Sequence, residues 1–164
     1  MARLRGAAGV SLAATVSNRV IFLALDHASV TSPHATLPDG AKLDANPFQN
    51  LRMRQAISAA IDRRAIIAQV MHGFGLPAGQ ILPTGYDLTS SRLVPEPYDP
   101  DRARRLLGEA GFAGGIAVTL LAPNDRYVND EQVAQAIGQM LTRVGIRVRI
   151  DAVPGSIGLQ RMNR

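Results

Sequence analysis

The stretch "IAVTLLAPNDRYVNDEQVAQAIGQMLTRVGIRVRIDAV" runs from Ile116 to Val153 and decides the fold. Ile116 to Pro123 is a short apolar run, the signature of a buried strand. Val133, Ala136, Ile137, Met140, Leu141 and Val144 then recur at helical spacing, with Asn129 placed to cap the helix and Gly145 to stop it. Beyond Gly145, Ile146, Val148 and Ile150 alternate with Arg147, Arg149 and Asp151, as in a strand with one buried face. Two strands joined by one helix imply a parallel pair with a right-handed crossover, so the fold class is α/β.

The polar loop inside this unit contains the chemistry-bearing candidate. Asn124, Asp125, Arg126 and Tyr127 lie just past the first strand and just before the helix. Ligands of open α/β sheets bind at the carboxyl ends of the strands. An arginine there can take a carboxylate through two parallel hydrogen bonds. Two readings of Arg126 follow from position alone: a contact for an anionic ligand, or a surface charge neutralising Asp125 or Asp130.

Upstream, Val20 to Leu25 is an apolar run read as a buried strand, and residues 27–46 mix Ser, Thr, Pro, Asp and Gly without period, as a loop does. Asn50 is placed to cap a helix carrying Leu51, Ile57 and Ile61, with Ala56, Ala59 and Ala60 permitting close packing. Asp62 is placed to cap a second helix over residues 63–72, buried through Ile66, Ile67 and Val70 and stopped at Gly73. Residues 74–97 are rich in Gly and Pro and form a long loop. "YDPDRARRLLGEAGF" is a complete helix statement: Asp99 as cap, Pro100 at the first position, an Ala103/Leu106/Leu107/Ala110 stripe and Gly111 as stop. The tail after Val153 is weakly patterned.

The 164 residues suit one domain, and a 46% hydrophobic fraction supports a packed core. Only 4% of residues are aromatic, so Ala, Val, Ile and Leu must build it. The net charge of +5 comes almost entirely from arginines spread along the chain between apolar positions, with Lys42 the only lysine. That distribution describes solvated faces rather than a nucleic-acid surface. The chain has no cysteine, which excludes disulfides and thiol chemistry, and no apolar run of membrane-spanning length. Arg3 and Arg5 precede a small-residue stretch, but Gly6, Gly9, Ser11 and Thr15 interrupt the continuity that a secretion signal core needs.

Catalytic and metal signatures are absent. No G-x-S-x-G, phosphate-binding loop or dinucleotide glycine pattern follows a strand. His27, His34 and His72 have nothing that makes them converge on a metal, and His72 suits the negative end of a helix. The acid pairs Asp99/Asp101 and Asp130/Glu131 lie at helix starts, where capping accounts for them. No enzyme, metal or cofactor is expected.

Three segments, "NPFQNLRMRQAISAAIDRRAII", "YDPDRARRLLGEAGF" and "LTRVGIRVRI", together resemble the bacterial extracellular solute-binding proteins of family 5, the peptide/nickel type of ABC transporters, in order and approximate spacing. The resemblance covers about Arg19 to Val153. It implies a partial periplasmic-binding-protein type II lobe with a mixed or parallel sheet and flanking helices. Residues 19–164 would form a fragment covering most of the second lobe, and residues 1–18 a strand or hinge remnant or a processed leader. The implied role is non-catalytic capture of a peptide or other small solute in the periplasm, by a monomer, for delivery to membrane permease subunits. Dipeptide-binding members carry an arginine on the loop that matches "APNDRYVND", where it meets the ligand's carboxylate. Arg126 falls on that position, with Asn124, Asp125 and Tyr127 beside it. From a different class, the length and charge also fit an intracellular α/β interaction module that binds an acidic partner.

Overall fold

The computed structural model describes residues 8–83 and 85–162. Its centre is a three-stranded mixed sheet in the order β1–β2–β3. β2 (Ile116–Pro123) and β3 (Ile146–Val153) pair in parallel along their whole length, from Ile116 opposite Ile146 to Pro123 opposite Val153. The parallel pair expected from the Ile116–Val153 stretch is therefore present.

β1 (Ala35–Thr36) is antiparallel to β2, with Ala35 opposite Val118 and Thr36 opposite Ala117. It lies inside the segment that composition assigned to a loop. Two residues carry no hydrophobic period, and β1 exists because the free edge of β2 holds it. The N–H of Thr119 also donates to the carbonyl of His34 at 2.8 Å. The strand expected at Val20 to Leu25 does not form. That segment pairs with no strand, Ile21 and Phe22 are exposed, and only Leu23 and Leu25 of its apolar run lean on the core. Apolar composition without an edge to pair with does not make a ladder. Residues 8–18 form no helix or strand.

Helix α1 (Leu51–Ala59) starts where Asn50 Oδ1 accepts the N–H of Arg52 at 2.9 Å. Its buried face is Met53, Ala56, Ile57 and Ala59, while the expected Leu51 is exposed. Asp62 caps the next helix as its position requires, accepting from Ala65 N at 2.9 Å. That helix is not regular. One turn, α2 (Arg63–Ala65), passes into a π-type turn over Ile66–Val70, and His72 and Gly73 both take positive φ. His72 therefore lies beyond the helix rather than in its last turn. Residues 74–97 form no helix or strand among the described residues, although Gln80 and Ser90 tie the segment across itself by two hydrogen bonds of 3.0 Å.

Helix α3 (Pro100–Glu109) follows the sequence closely. Asp99 Oδ1 accepts from Arg102 N at 2.8 Å. At the other end Gly111 has φ +94°, its N–H donates to Gly108 O, and that of Phe112 donates to Leu107 O. That pair of bonds satisfies helix carbonyls that would otherwise have no partner. Ala59 and Ala103 are both fully buried, and the absence of larger side chains lets α1 and α3 pack closely. The N–H of Asp99 donates to Ala59 O at 2.9 Å and joins the two helix ends.

Helix α4 (Asp130–Arg143) covers one face of β2 and β3. Its tightest approach is at Gly138, where a Cβ would stand 3.3 Å from Ile150 Cδ1 and 3.6 Å from Val148. Val148 and Ile150 therefore face α4, and Arg147, Arg149 and Asp151 lie on the opposite face, as the alternation requires. Met140 of α4 reaches α2, where its sulfur accepts the N–H of Asp62 at 3.3 Å. Last comes α5 (Gly155–Met162), which packs against β2 and which the weak pattern of the tail did not reveal. Met53, Ile116 and Ile146 are the largest fully buried side chains in one core shared by the helices and the sheet.

Candidate functional site

The loop over residues 124–129 connects β2 to α4 at the carboxyl end of the parallel pair. Asn124 continues the ladder for one bond, donating its N–H to Val153 O at 3.1 Å, and its side chain is exposed. Asp125 is exposed as well, and its Oδ1 accepts the N–H of Gly155 at 2.7 Å. The loop after β2 is thereby tied to the first residue of the helix that follows β3. An added Cβ at Gly155 would stand 3.3 Å from Asp125 Oδ1 and 3.5 Å from Arg126 Cβ and Cδ. Glycine at that position leaves room for the Asp125 carboxylate at the start of α5.

The Arg126 guanidinium is exposed. Its Nε donates to the Tyr127 hydroxyl at 2.9 Å, and its central carbon lies 5.4 Å from the Tyr127 ring centroid. Among the described residues it forms no ion pair. The four pairs present are Arg52–Glu109, Arg102–Glu96, Arg104–Asp101 and Arg161–Asp151. The acids beside Arg126 are committed to backbone: Asp125 to Gly155, and Asp130 to the N–H groups of Arg126, Tyr127 and Glu131. Neutralisation of Asp125 or Asp130 is therefore not the geometry adopted.

Asp130 is the residue that sequence reasoning undervalued. It is buried, its Oδ2 accepts from Arg126 N at 3.0 Å and Tyr127 N at 3.1 Å, and its Oδ1 accepts from Glu131 N at 2.9 Å. Burial by itself would raise this carboxyl's pKa. The N–H groups of Tyr127, Arg126 and Glu131 outweigh it and hold the group below the usual aspartate value. Asn129, expected as the side-chain cap of α4, makes no capping bond. It takes a left-handed conformation (φ +57°), which asparagine tolerates, and its Nδ2 donates to Val70 O at 2.7 Å. The carbonyl that accepts from it is the last of the π turn, so the loop is anchored to three neighbours: α2's continuation, α5 and α4 itself.

No cluster of three or more metal-ligating side chains exists among the described residues, and His27, His34 and His72 do not converge with acids on one point. No helix of the described residues is long and apolar enough to cross a membrane. Shallow grooves lie beside Leu37 and Phe112 and beside Ile67 and Gly75, away from Arg126.

The loop after β2 of this parallel βαβ unit lies where open α/β sheets take their ligands, at the carboxyl ends of the strands. The family is established by comparison with known proteins: the family model of bacterial extracellular solute-binding proteins, family 5 (middle part), matches residues 1–164, and the chain belongs to that family. Among curated relatives, the glutathione-binding protein GsiB of Pectobacterium atrosepticum is 37% identical over 107 residues, which are 65% of this chain and 20% of that protein. GsiB of Escherichia coli K12 is 35% identical over the same share of both chains. The chain thus spans about a fifth of the length of these relatives.

Solved structures share the fold. The dipeptide-binding protein of Pseudoalteromonas sp. SM9913, in complex with Met-Leu, matches with a TM-score of 0.64 and 28% identity over 79% of this chain and 25% of its own. AgaA of A. tumefaciens R10, in complex with agropinic acid, matches with 0.63 and 33% over 70% and 24%. The fold is accordingly part of a type II periplasmic-binding-protein architecture, as expected.

Proposed function

We propose that this chain supplies one wall of the ligand cleft of a solute-binding protein that captures a small carboxylate-bearing solute, of the short-peptide or glutathione class. In this reading the protein works in the periplasm as a monomer and passes its solute to the permease of an ABC transporter without making or breaking a bond. Arg126 takes the solute's carboxylate, with Asn124, Asp125 and Tyr127 around it. The observation that carries the reading is the Arg126 guanidinium, held by Tyr127 at the carboxyl end of β2 and paired with no acid among the described residues. The ligands named for the relatives, glutathione, Met-Leu and agropinic acid, support the choice of solute class. Family membership favours this over an intracellular module for an acidic partner.

The test is calorimetric titration of the full-length protein with Met-Leu, with glutathione and with the C-terminal amide of Met-Leu. A charge-assisted hydrogen bond contributes about 1.5–3 kcal/mol, so the free acid should bind roughly 10–150-fold more tightly than the amide. Equal affinities for acid and amide would refute the carboxylate contact.

A further inference from the structure

Adjacent side chains in a loop ordinarily diverge, yet Arg126 and Tyr127 meet, through an Nε–hydroxyl hydrogen bond of 2.9 Å and a guanidinium 5.4 Å from the ring centroid. Their backbones explain the meeting. Both consecutive N–H groups donate to one oxygen, Asp130 Oδ2, at 3.0 and 3.1 Å. Two donors converging on one acceptor fix the peptide between them and thereby the directions of both side chains. The second oxygen, Oδ1, is held by Glu131 N, so the carboxylate is locked to the first turn of α4 and cannot follow the loop.

We infer that Asp130 is the positioning residue of this site: its carboxylate gathers the Arg126 and Tyr127 N–H groups, brings Tyr127 onto the Nε of Arg126, and leaves the two terminal guanidinium nitrogens for an incoming carboxylate. The inference rests on the reading of Arg126 as a ligand contact and assigns the control of that contact to a residue with no contact of its own. Asp130 is buried, so it holds the arginine without competing with the ligand for it. An exposed acid at the same distance along the chain would neutralise the guanidinium instead.

The charges around Asp130 leave it this role. β2 and the π turn over Ile66–Val70 carry no titratable side chain. On β3, Arg147, Arg149 and Asp151 lie on the face away from α4, and Arg161 of α5 pairs with Asp151. Asp125 is engaged by Gly155, and Glu131 accepts from the side chain of Gln135 at 3.2 Å. Arg126, Asp125 and Glu131 are thus the charged side chains next to the carboxylate along the chain, and Arg126 is the one cation among them.

The experiment uses full-length protein carrying 15N-arginine and follows the Nε–H resonance of Arg126, assigned by its loss in Arg126→Lys. This readout needs no ligand. In Asp130→Asn, where an amide replaces one acceptor oxygen, the resonance should move to the position of solvent-exposed arginines and its hydrogen exchange should quicken roughly fivefold, the factor for one lost hydrogen bond. Tyr127→Phe should produce the same change with α4 untouched. An Asp130→Asn resonance identical to that of the unmodified protein would overturn the inference.

A second arm needs no substitution at Asp130. The Arg126 resonance should hold as pH falls through about 4, the ordinary aspartate value, and shift only below it, because the folded carboxyl titrates lower. A shift already complete above about 4 would overturn the inference equally. Failure of the carboxylate reading is seen separately, as calorimetric affinity that does not distinguish acid from amide while the Arg126 resonance still depends on Asp130.

Discussion

Replacing Asn46 by Asp should destabilise the protein more than replacing it by Ala, although Asp has the same shape. Asn46 is 3% exposed. Its Nδ2 donates to Asp26 O at 2.8 Å and Ser29 O at 2.9 Å, and its Oδ1 accepts from Phe48 N at 3.0 Å. Alanine removes three hydrogen bonds, worth about 1 kcal/mol each, so Asn46→Ala should cost about 3 kcal/mol. Asn46→Asp keeps the Phe48 bond but turns an anionic oxygen toward two carbonyl oxygens. Two bonds are lost, for about 2 kcal/mol, and a charge is buried without a partner, which adds several kcal/mol before relaxation. A total of about 4–6 kcal/mol at pH 7 follows.

Protonation relieves part of that cost. The introduced carboxyl would have a raised folded-state pKa, so its extra destabilisation is full above that value and falls away as pH drops through it. A neutral carboxyl donates to one carbonyl, and the gap to Asn46→Ala should narrow in acid. Urea denaturation of both variants at pH 7 and pH 5 measures this. An Asn46→Asp variant as stable as Asn46→Ala at pH 7 would refute the description of the side chain as buried among three backbone groups.

Gly115 has φ +88°, and a Cβ there would stand 2.8 Å from Gly145 O, so Gly115→Ala should cost about 2–4 kcal/mol by the same denaturation assay, where Gly114→Ala, with open space around it, should cost less. Met53 is fully buried between α1 and the core, so Met53→Ala should cost about 2–5 kcal/mol, against less than about 1.5 kcal/mol for Met53→Leu.

The parts of the fold that were legible from sequence are those fixed by local chemistry. α3 carries its cap, its stripe and its stop within one short segment, and each does what its residue type requires. β3 alternates because one face meets α4 and the other does not. Elements fixed by a distant partner were not legible. β1 is two residues held by the edge of β2, and the apolar run at Val20 to Leu25 lacks any such edge. The π turn after α2 falls in a sequence with ordinary helical spacing, and its last carbonyl is taken by Asn129, fifty-nine residues later.

At the site, position alone identified Arg126 as lying at a strand end, but could not say whether its neighbouring acids neutralise it. That turned on where those carboxylates point, and both point at backbone N–H groups. The pattern Asn129–Asp130 looked like a cap followed by a first-turn acid. Because Asn129 is left-handed and its side chain leaves for Val70, Asp130 is the residue that organises the loop.

The most direct test of the central claim is the affinity of full-length Arg126→Ala for Met-Leu, or for glutathione if that is the ligand bound, measured by calorimetry beside the unmodified protein. Loss of the charge-assisted pair should weaken binding roughly 10–150-fold and abolish the preference for the free acid over its amide. Unchanged affinity with the preference intact would contradict the assignment of Arg126 as the carboxylate contact.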